Sequence, residues 1–422
     1  MEELPQIPKS GPLSTLCEQS DWTGVSENLS YSGRQNLRKC FRIPIESLHF
    51  NIENGRYHTN FLLLQSAYPG ENIDPKQPRW KNEILNMLNG NWIDKKTGAN
   101  TFEDREYFLQ LVEDLRVRGQ ERPGVVLENG GVMGGNRRLA ALITLFGEQS
   151  EPKFQRFEGF IVPGNMDAVD RWRLEMSAQI GATRLTRDYK AVNRLAKIKQ
   201  GVELLEAKAG STEDAAIKGV AVDWGTKPEN IRTELLTYSA MLQWLEFTGY
   251  PGELWRADKL TEIFTEIPGI FDAARKIGMP LADQSRLKRI VFSLISNKAA
   301  DYRLLRAIRN AIGSGKKGVN GTPTAINLLL SAAPNVDALT TPPTHETEDA
   351  AEELADRFRA DVESKKAQRT PLVLAQTAET NLESLGNLIL KLQIPADKKT
   401  AIIQSIQNCS KLAAEALSRL KG

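Results

Sequence analysis

The chain has 422 residues, of which 41% are apolar, and its formal net charge is +2. This length predicts about two to four domains, and no apolar run reaches the ~18 residues of a membrane helix. The N-terminus lacks the apolar core of a signal peptide. Three widely spaced cysteines and only three histidines argue against a disulfide framework, a zinc site and a histidine-based catalytic centre. We therefore expect a cytoplasmic protein.

The first 165 residues predict an arm followed by a small α+β domain. Residues 1–40 mix Pro, Gly, Ser and charge without periodicity and are interpreted as an N-terminal arm. Residues 41–165 form the predicted domain, with an insertion at about 60–100. Its predicted elements are a strand from Phe41, helices at Trp80–Leu88 and Phe102–Val117, a hairpin with an Asn129-Gly130 turn, a helix at Leu139–Phe146 and a strand at Phe157–Val162.

The remainder of the chain is predicted to be mostly helical. A helical segment at 166–260 is followed by a helical basic region at 261–331. Pro, Thr and acidic residues crowd 332–353, which is interpreted as a linker. Residues 354–422 form a C-terminal helical region, with helices predicted at Leu372–Leu392 and Asp397–Leu420. The fold class is thus α+β at the N-terminus and α-helical beyond it.

A candidate phosphate site lies where a predicted strand runs into a helix, at Gly134, Gly135, Asn136, Arg137 and Arg138. Glycines let a backbone approach a ligand closely, and the first amides of a helix attract an anion. Two adjacent arginines add charged donors suited to phosphate oxygens. The alternative is a plain turn with solvated or paired arginines. The segment is neither a P-loop nor a Rossmann fingerprint.

Two motifs together carry a family resemblance. One is the stretch Ile43–Arg56, a strand, proline, strand and Asn-rich turn ending in Arg56, and the other is Gly135–Ala141. In this order they resemble the N-terminal domain of the ParB/sulfiredoxin superfamily. The resemblance implies a small nucleotide-binding domain in which Arg56, the segment 134–138 and Gln179 contact a nucleoside triphosphate, CTP or ATP, with Mg²⁺. It also implies a helix-turn-helix after the domain.

The chain departs from the family pattern in three places. Asn136 stands where ParB proteins usually have Glu, and Ala178-Gln179 replaces the usual Glu-Asn metal-ligating pair. The insertion at 60–100 is long. Sulfiredoxin chemistry requires a cysteine at the position of Asn136, and an amide cannot act as a thiolate nucleophile.

A candidate DNA-reading element follows the domain. Ser211–Asp214 is typical of a helix start, and Ala221, Gly225 and Ile231 have the spacing of a helix-turn-helix. The second helix presents five polar residues that can reach base edges: Lys227, Glu229, Asn230, Arg232 and Thr233. Glu234 stands where an apolar residue is usual. The alternative is a plain helical hairpin.

Two basic runs suggest phosphate contacts. One runs from Arg184 to Lys199 and includes Arg187, Lys190, Arg194 and Lys197. The other contains Arg303, Arg306 and Arg309, whose spacing of three places them on roughly one helix face. The alternative in both cases is a solvated helix face.

Apolar stripes on the two C-terminal helices cannot both be buried in one hairpin. They either fold back on the body of the protein or pair with a second copy, and the preceding linker favours a homodimer.

These features predict a ParB-like protein that binds double-stranded DNA, is switched by a nucleotide, and acts at the nucleoid in partition, regulation or mobile-element, plasmid or phage biology. The alternative is a ParB-fold enzyme, namely a nuclease or a nucleotide-dependent phosphotransferase, for example in phage defence. Its candidate metal-binding carboxylates are Glu46, Glu53 and Glu128. A nucleotide hydrolase of the CTPase type also stays open.

Overall fold

A computed structural model describes residues 13, 17, 19–31, 34–94, 98–101, 104–180, 190–210, 212–314, 326–331, 344–391 and 396–421. The chain divides into two compact units, Met1–Ala355 and Asp356–Gly422. The first unit combines a six-stranded sheet with helices, and the described part of the second is helical, so the chain is α+β at its N-terminus and mostly helical afterwards.

The sheet is built from six strands in the order β1-β2-β6-β4-β5-β3. The strands are β1 (Trp22–Tyr31), β2 (Arg34–Pro44), β3 (His49–Phe50), β4 (Gly124–Leu127), β5 (Gly131–Gly134) and β6 (Arg156–Val162). Pairing is antiparallel except between β4 and β6 and between β3 and β5.

The described α-helices begin after β3, and four of them lie between strands of the sheet. They are α1 (His58–Ala67), α2 (Pro78–Leu88), α3 (Arg105–Arg118), α4 (Asn136–Gln149), α5 (Ala168–Ile180), α6 (Ala191–Ala209), α7 (Glu213–Asp223), α8 (Pro228–Phe247), α9 (Thr261–Lys276), α10 (Leu281–Ser296), α11 (Tyr302–Ser314), α12 (Asn327–Ser331), α13 (His345–Lys391) and α14 (Ala396–Lys421). None of the described helices is both long and apolar enough to cross a membrane.

The central strands are buried on both faces, because their alternate side chains enter two different cores. Phe157 and Ile161 of β6 pack with helix residues such as Leu64 and Ile84, whereas Phe160 and Val162 pack with Leu174 of α5. A helical cluster follows, in which Trp172 of α5 and apolar residues of α6, α7 and α8 pack together.

The predicted N-terminal arm is wrong from residue 22 onward, since β1 and β2 form a hairpin at the edge of the sheet. Most of β1 is exposed and its buried residues are Leu29 and Tyr31, whereas β2 buries Cys40, Phe41 and Ile43 near its end. Polar residues therefore dominate the exposed part of the hairpin. An irregular register between Trp22 and Ser26 also interrupts the alternation of inward and outward side chains. Both effects hide the strand pattern from a sequence analysis.

The region 60–100 is part of the domain core. Helices α1 and α2 direct Leu64, Trp80, Ile84 and Met87 into the same core as the sheet. The sequence predicted the helix at 80–88, and α2 confirms it, but proline and glycine around it suggested a peripheral insertion.

The C-terminal helices begin earlier than predicted. Helix α13 starts at His345, inside the predicted linker, and the rest of that linker, 332–343, lies outside the described residues. Thr344 starts the helix, because its hydroxyl accepts a hydrogen bond from the amide of Thr347 at 3.3 Å. Glu346 and Glu348 suit the positive end of the helix dipole, so the acidic composition supports a helix start.

Candidate phosphate and nucleic-acid sites

The turn before α4 requires glycine at its second position. Gly135 has φ +105°, and a Cβ there would lie 3.0 Å from Cζ of Phe157 and 3.4 Å from Nη2 of Arg138. The backbone conformation and the crowding both exclude a larger residue. Gly134 is the last residue of β5 and is buried, so the strand runs through one residue into the helix. The amides of the first turn of α4 have no partners within the helix.

Asn136 fixes this turn to the loop that follows β3. Its side-chain oxygen accepts a hydrogen bond from the amide of Asn51 at 3.0 Å, and its side-chain nitrogen donates to the carbonyl of Val132 at 2.9 Å. The side chain is buried. Both of its polar ends are used inside the protein, so its role here is to hold the two motifs together.

Arg56, Arg137 and Arg138 form an arginine cluster beside the start of α4. Arg137 donates to the carbonyl of Asp104 at 3.1 Å, and Arg138 donates to that of Pro123 at 3.2 Å and to that of Arg122. Burial, together with the charges of Arg122 and Arg56, lowers the pKa of Arg138 to about 10. The positive charges of Arg56 and Arg122 therefore lie near the half-buried side chain of Arg138.

The arginine cluster has unused hydrogen-bond donors. The Nε atoms of Arg56 and Arg137 are buried and have no hydrogen-bond partner. Carbonyl oxygens are the only acceptors that the described residues offer to Arg137 and Arg138. An anion would satisfy these donors and offset the gathered charge.

The loop 51–57 carries Arg56 to the cluster through a chain of hydrogen bonds. The side chain of Asn54 donates to the carbonyl of Met133 at 3.1 Å and accepts from the amide of Arg56 at 3.0 Å. The amide of Gly55 donates to Oε1 of Glu175 at 2.7 Å. The two motifs, which are far apart in sequence, thus lie next to each other. The side chain of Gln179 lies outside the described residues.

Helix α6 lies between the arginine cluster and the helices that follow. Its polar side faces the cluster, where Asn193 contacts the 56–59 backbone and Lys197 pairs with Glu175 at 2.6 Å, both side chains buried. Its apolar side places Ile198 and Val202 against α7 and α8. Neither Asn193 nor Glu175 was identified from the sequence, because a single buried polar residue leaves no pattern.

The α7–α8 pair matches the spacing that the sequence pointed to. Thr212 starts α7, since its hydroxyl accepts from the amide of Ala215 at 3.4 Å. Ala221 and Ile231 are buried between the helices, and Gly225 has φ +60° in the turn. These positions are the small, glycine and apolar positions of the prediction, and they bring the helices close together.

The predicted base-reading residues lie at the exposed start of α8. Lys227, Glu229, Asn230 and Thr233 are exposed. Arg232 is half-buried and pairs with Asp214 at 2.9 Å. Acidic and basic residues alternate here, so this end carries no strong positive potential.

Glu234, the residue that did not fit the prediction, is accommodated by an ion pair. Its carboxylate lies 2.8 Å from Nη2 of Arg194 on α6. Burial raises the pKa of Glu234, and the charge of Arg194 opposes that shift. An arginine from a neighbouring helix therefore replaces the apolar contact that the spacing suggested.

Two arginines of the predicted basic face on α11 form ion pairs with one carboxylate of α9. Nη2 of Arg306 lies 2.6 Å from Oε1 of Glu266, and Nη1 of Arg309 lies 2.7 Å from Oε2 of the same carboxylate. Glu266 on α9 is buried. Arg303 donates to the hydroxyl of Tyr302 at 3.1 Å. A buried carboxylate thus pairs with two of the three arginines, whose side chains keep exposed fractions of 53% and 37%, and contact of this face with DNA phosphates stays a prediction.

The described lysines and arginine of the first basic run also form ion pairs with carboxylates. Lys190 pairs with Asp258 at 2.9 Å, Arg194 with Glu234, Lys197 with Glu175 and Lys199 with Glu203 at 3.3 Å. Arg184 and Arg187 lie outside the described residues.

The carboxylates proposed for an enzyme are dispersed. Glu46 and Glu53 are exposed, and Oε2 of Glu128 accepts a hydrogen bond from the amide of Gly164 at 3.2 Å. Within the described ranges, no group of three or more His, Cys, Asp and Glu residues is placed to hold a metal ion.

Comparisons with protein-family models, with curated proteins and with solved structures found no match to this chain.

Proposed function

We propose that the protein is a ParB-like DNA-binding protein whose N-terminal domain binds a nucleoside triphosphate at the arginine cluster. The single observation that carries the proposal is the cluster itself: three guanidinium groups beside a helix start, two of them with buried Nε atoms that lack a partner. Phosphate oxygens are the acceptors that suit such a group.

The triphosphate is favoured over a single phosphate because the donors are spread over two segments of the chain. Arg56 comes from the loop after β3, and Arg137 and Arg138 come from the first turn of α4. A chain of phosphates can contact both segments at once, as CTP or ATP would. A magnesium ion would enter with the nucleotide, neutralising phosphate oxygens that the arginines leave uncovered.

DNA binding is proposed for the start of α8. Asn230 and Thr233 are exposed there, and Asn is suited to adenine edges in the major groove. Because acidic residues such as Glu229 lie beside Lys227, phosphate neutralisation would be modest, and the salt dependence of binding would be shallow. Association with the nucleoid would follow from this binding.

A homodimer is proposed for the C-terminal unit. Leu382 on α13 and Ile403, Leu412 and Leu417 on α14 are exposed apolar side chains. Repeated exposed apolar residues on helices are typical of interfaces, and a second copy offers a matching surface. Two helix-turn-helix elements in one particle would then contact two DNA half-sites.

Fluorescence anisotropy with a labelled set of random duplexes tests the DNA part of the proposal. The full chain should bind duplex DNA at low salt, and Asn230→Ala should bind less selectively without losing stability. Glu246→Gln, near the far end of α8, is the matched control. No binding of the wild-type protein to any duplex at low salt would contradict the proposal.

A further inference from the structure

One buried amide side chain reaches from the helical cluster to the loop that carries Arg56. Asn193 on α6 is fully buried. Its nitrogen donates to the carbonyl of Arg56 at 2.7 Å, and its oxygen accepts from the amide of Thr59 at 3.0 Å. These two contacts are 137 and 134 residues apart in sequence.

Both contacts are made to backbone groups at or just before the start of α1. Thr59 lies in the first turn of α1, where amides lack partners within the helix. The carbonyl of Arg56 lies in the short 3₁₀ turn Gly55–Tyr57 just before that helix. An amide side chain is suited to the pair, since one end donates and the other accepts.

The backbone at Arg56 is therefore fixed on both sides. Its amide donates to the side chain of Asn54, and its carbonyl accepts from Asn193. One residue earlier, the amide of Gly55 donates to Glu175, which pairs with Lys197 of α6. Asn193 and Lys197 are four residues apart and lie on one side of the helix.

We propose that Asn193 is a positioning residue for the arginine cluster, and that it sets the affinity of the cluster for phosphate by holding the backbone of Arg56. The inference rests on the proposed function, because it concerns how that phosphate site is built. Asn193 does not touch the phosphate. It acts through Arg56, so part of the N-terminal site is supplied by the helix that packs against α7 and α8.

A double-mutant cycle distinguishes positioning from a general structural role. Isothermal titration with inorganic triphosphate would compare the wild-type chain, Asn193→Ala, Arg56→Ala and the double variant. Loss of a buried hydrogen bond predicts binding about tenfold weaker for Asn193→Ala, and loss of a charged donor predicts a loss of about thirtyfold for Arg56→Ala. If Asn193 acts through Arg56, the double variant binds no more weakly than Arg56→Ala.

Asn297→Ala is the matched control, since Asn297 is a buried amide that donates to the carbonyl of Ser293 at 2.8 Å, on α10. It should lose stability and keep wild-type affinity. If Asn193→Ala does not fold, Asn193→Thr removes the amide that makes both contacts and nearly keeps the side-chain volume, and the cycle is repeated with it.

The outcomes separate the inference from the proposed function. If the wild-type chain binds triphosphate and the losses of the two single variants multiply in the double variant, the positioning role alone is overturned. The same holds if neither Asn193 variant weakens binding. A wild-type chain that does not bind triphosphate overturns the proposed phosphate site and the inference with it.

Discussion

Two groups of arginines in this protein have opposite surroundings. In the arginine cluster, Arg137 and Arg138 contact backbone carbonyls, and the buried Nε atoms of Arg56 and Arg137 have no partner. On α11, Arg306 and Arg309 hold the two oxygens of a single buried carboxylate, Glu266. In the second group a carboxylate offsets one of the two positive charges, whereas the contacts of Arg137 and Arg138 in the first group are to uncharged carbonyls.

The difference shows that arginine spacing alone does not identify a phosphate site. Spacing of three places Arg303, Arg306 and Arg309 on one helix face, but the carboxylate that engages two of them comes from α9, about forty residues earlier. What an arginine can bind depends on the partners that the fold brings to it.

The largest expected effect is the loss of phosphate binding when the arginine cluster is removed. Arg56→Ala with Arg137→Ala should weaken inorganic triphosphate binding at least about a hundredfold, because two charged donors are lost. Arg303→Ala with Arg306→Ala removes the same charge and should leave the affinity unchanged. Isothermal titration measures both affinities. Equal losses of affinity in the two double variants would mean that the arginine cluster binds phosphate no better than the arginines of α11.

The next effect is on stability, at the carboxylate on α9. Glu266→Gln removes the charge that two arginines share and should cost about 2 kcal/mol of unfolding free energy. Glu262→Gln, an exposed residue of the same helix, should change it by less than about 0.5 kcal/mol. Urea denaturation gives both values. A Glu266 variant as stable as the wild-type chain would mean that the ion pairs are not formed.

A smaller effect is expected in the salt dependence of DNA binding. Lys227→Ala should reduce the slope of log K against log salt by about 1, because one phosphate contact is lost. Arg306→Ala should leave the slope unchanged, since its charge is already paired. Anisotropy titrations across a salt series measure the slopes, and a reduced slope for Arg306→Ala would place α11 on the DNA.

The smallest effect concerns the Arg194–Glu234 ion pair, in which one arginine pairs with one half-buried carboxylate. Burial raises the pKa of Glu234 above its ordinary value of 4.5, while Arg194 lowers it. The folded chain therefore holds a proton that the unfolded chain releases in the window above pH 4.5, so stability at this group falls as the pH rises through that window.

Arg194→Met removes the opposing charge and should raise this pKa further. The stability lost in the variant should therefore be larger at pH 7 than at pH 5, by urea denaturation. In a Glu234→Gln background the loss should no longer depend on pH. A loss that is equal at both pH values in the chain that retains Glu234 would show that Arg194 does not lower the pKa of this carboxyl.

The sequence predicted the features that rest on local patterns. The hairpin at Asn129-Gly130, the glycine turn before α4 and the α7–α8 spacing all have periodic or turn signals, and the structure contains each of these elements. The edge hairpin β1–β2 was missed, since its exposed residues are polar.

The partners of charged residues could not be predicted either. Asn193, Glu175 and Glu266 each act across more than twenty residues of chain, and nothing in their neighbouring sequence marks them. Ion pairs and buried amides are products of tertiary packing, so their assignment requires the fold.

The most direct test of the central claim is isothermal titration of CTP, ATP and GTP, each with Mg²⁺, into the full wild-type chain. The account predicts that at least one nucleotide binds, and that Arg56→Ala with Arg137→Ala abolishes the heat while Arg303→Ala with Arg306→Ala preserves it. If no nucleoside triphosphate binds, or if binding survives the loss of Arg56 and Arg137, the arginine cluster is not a phosphate site.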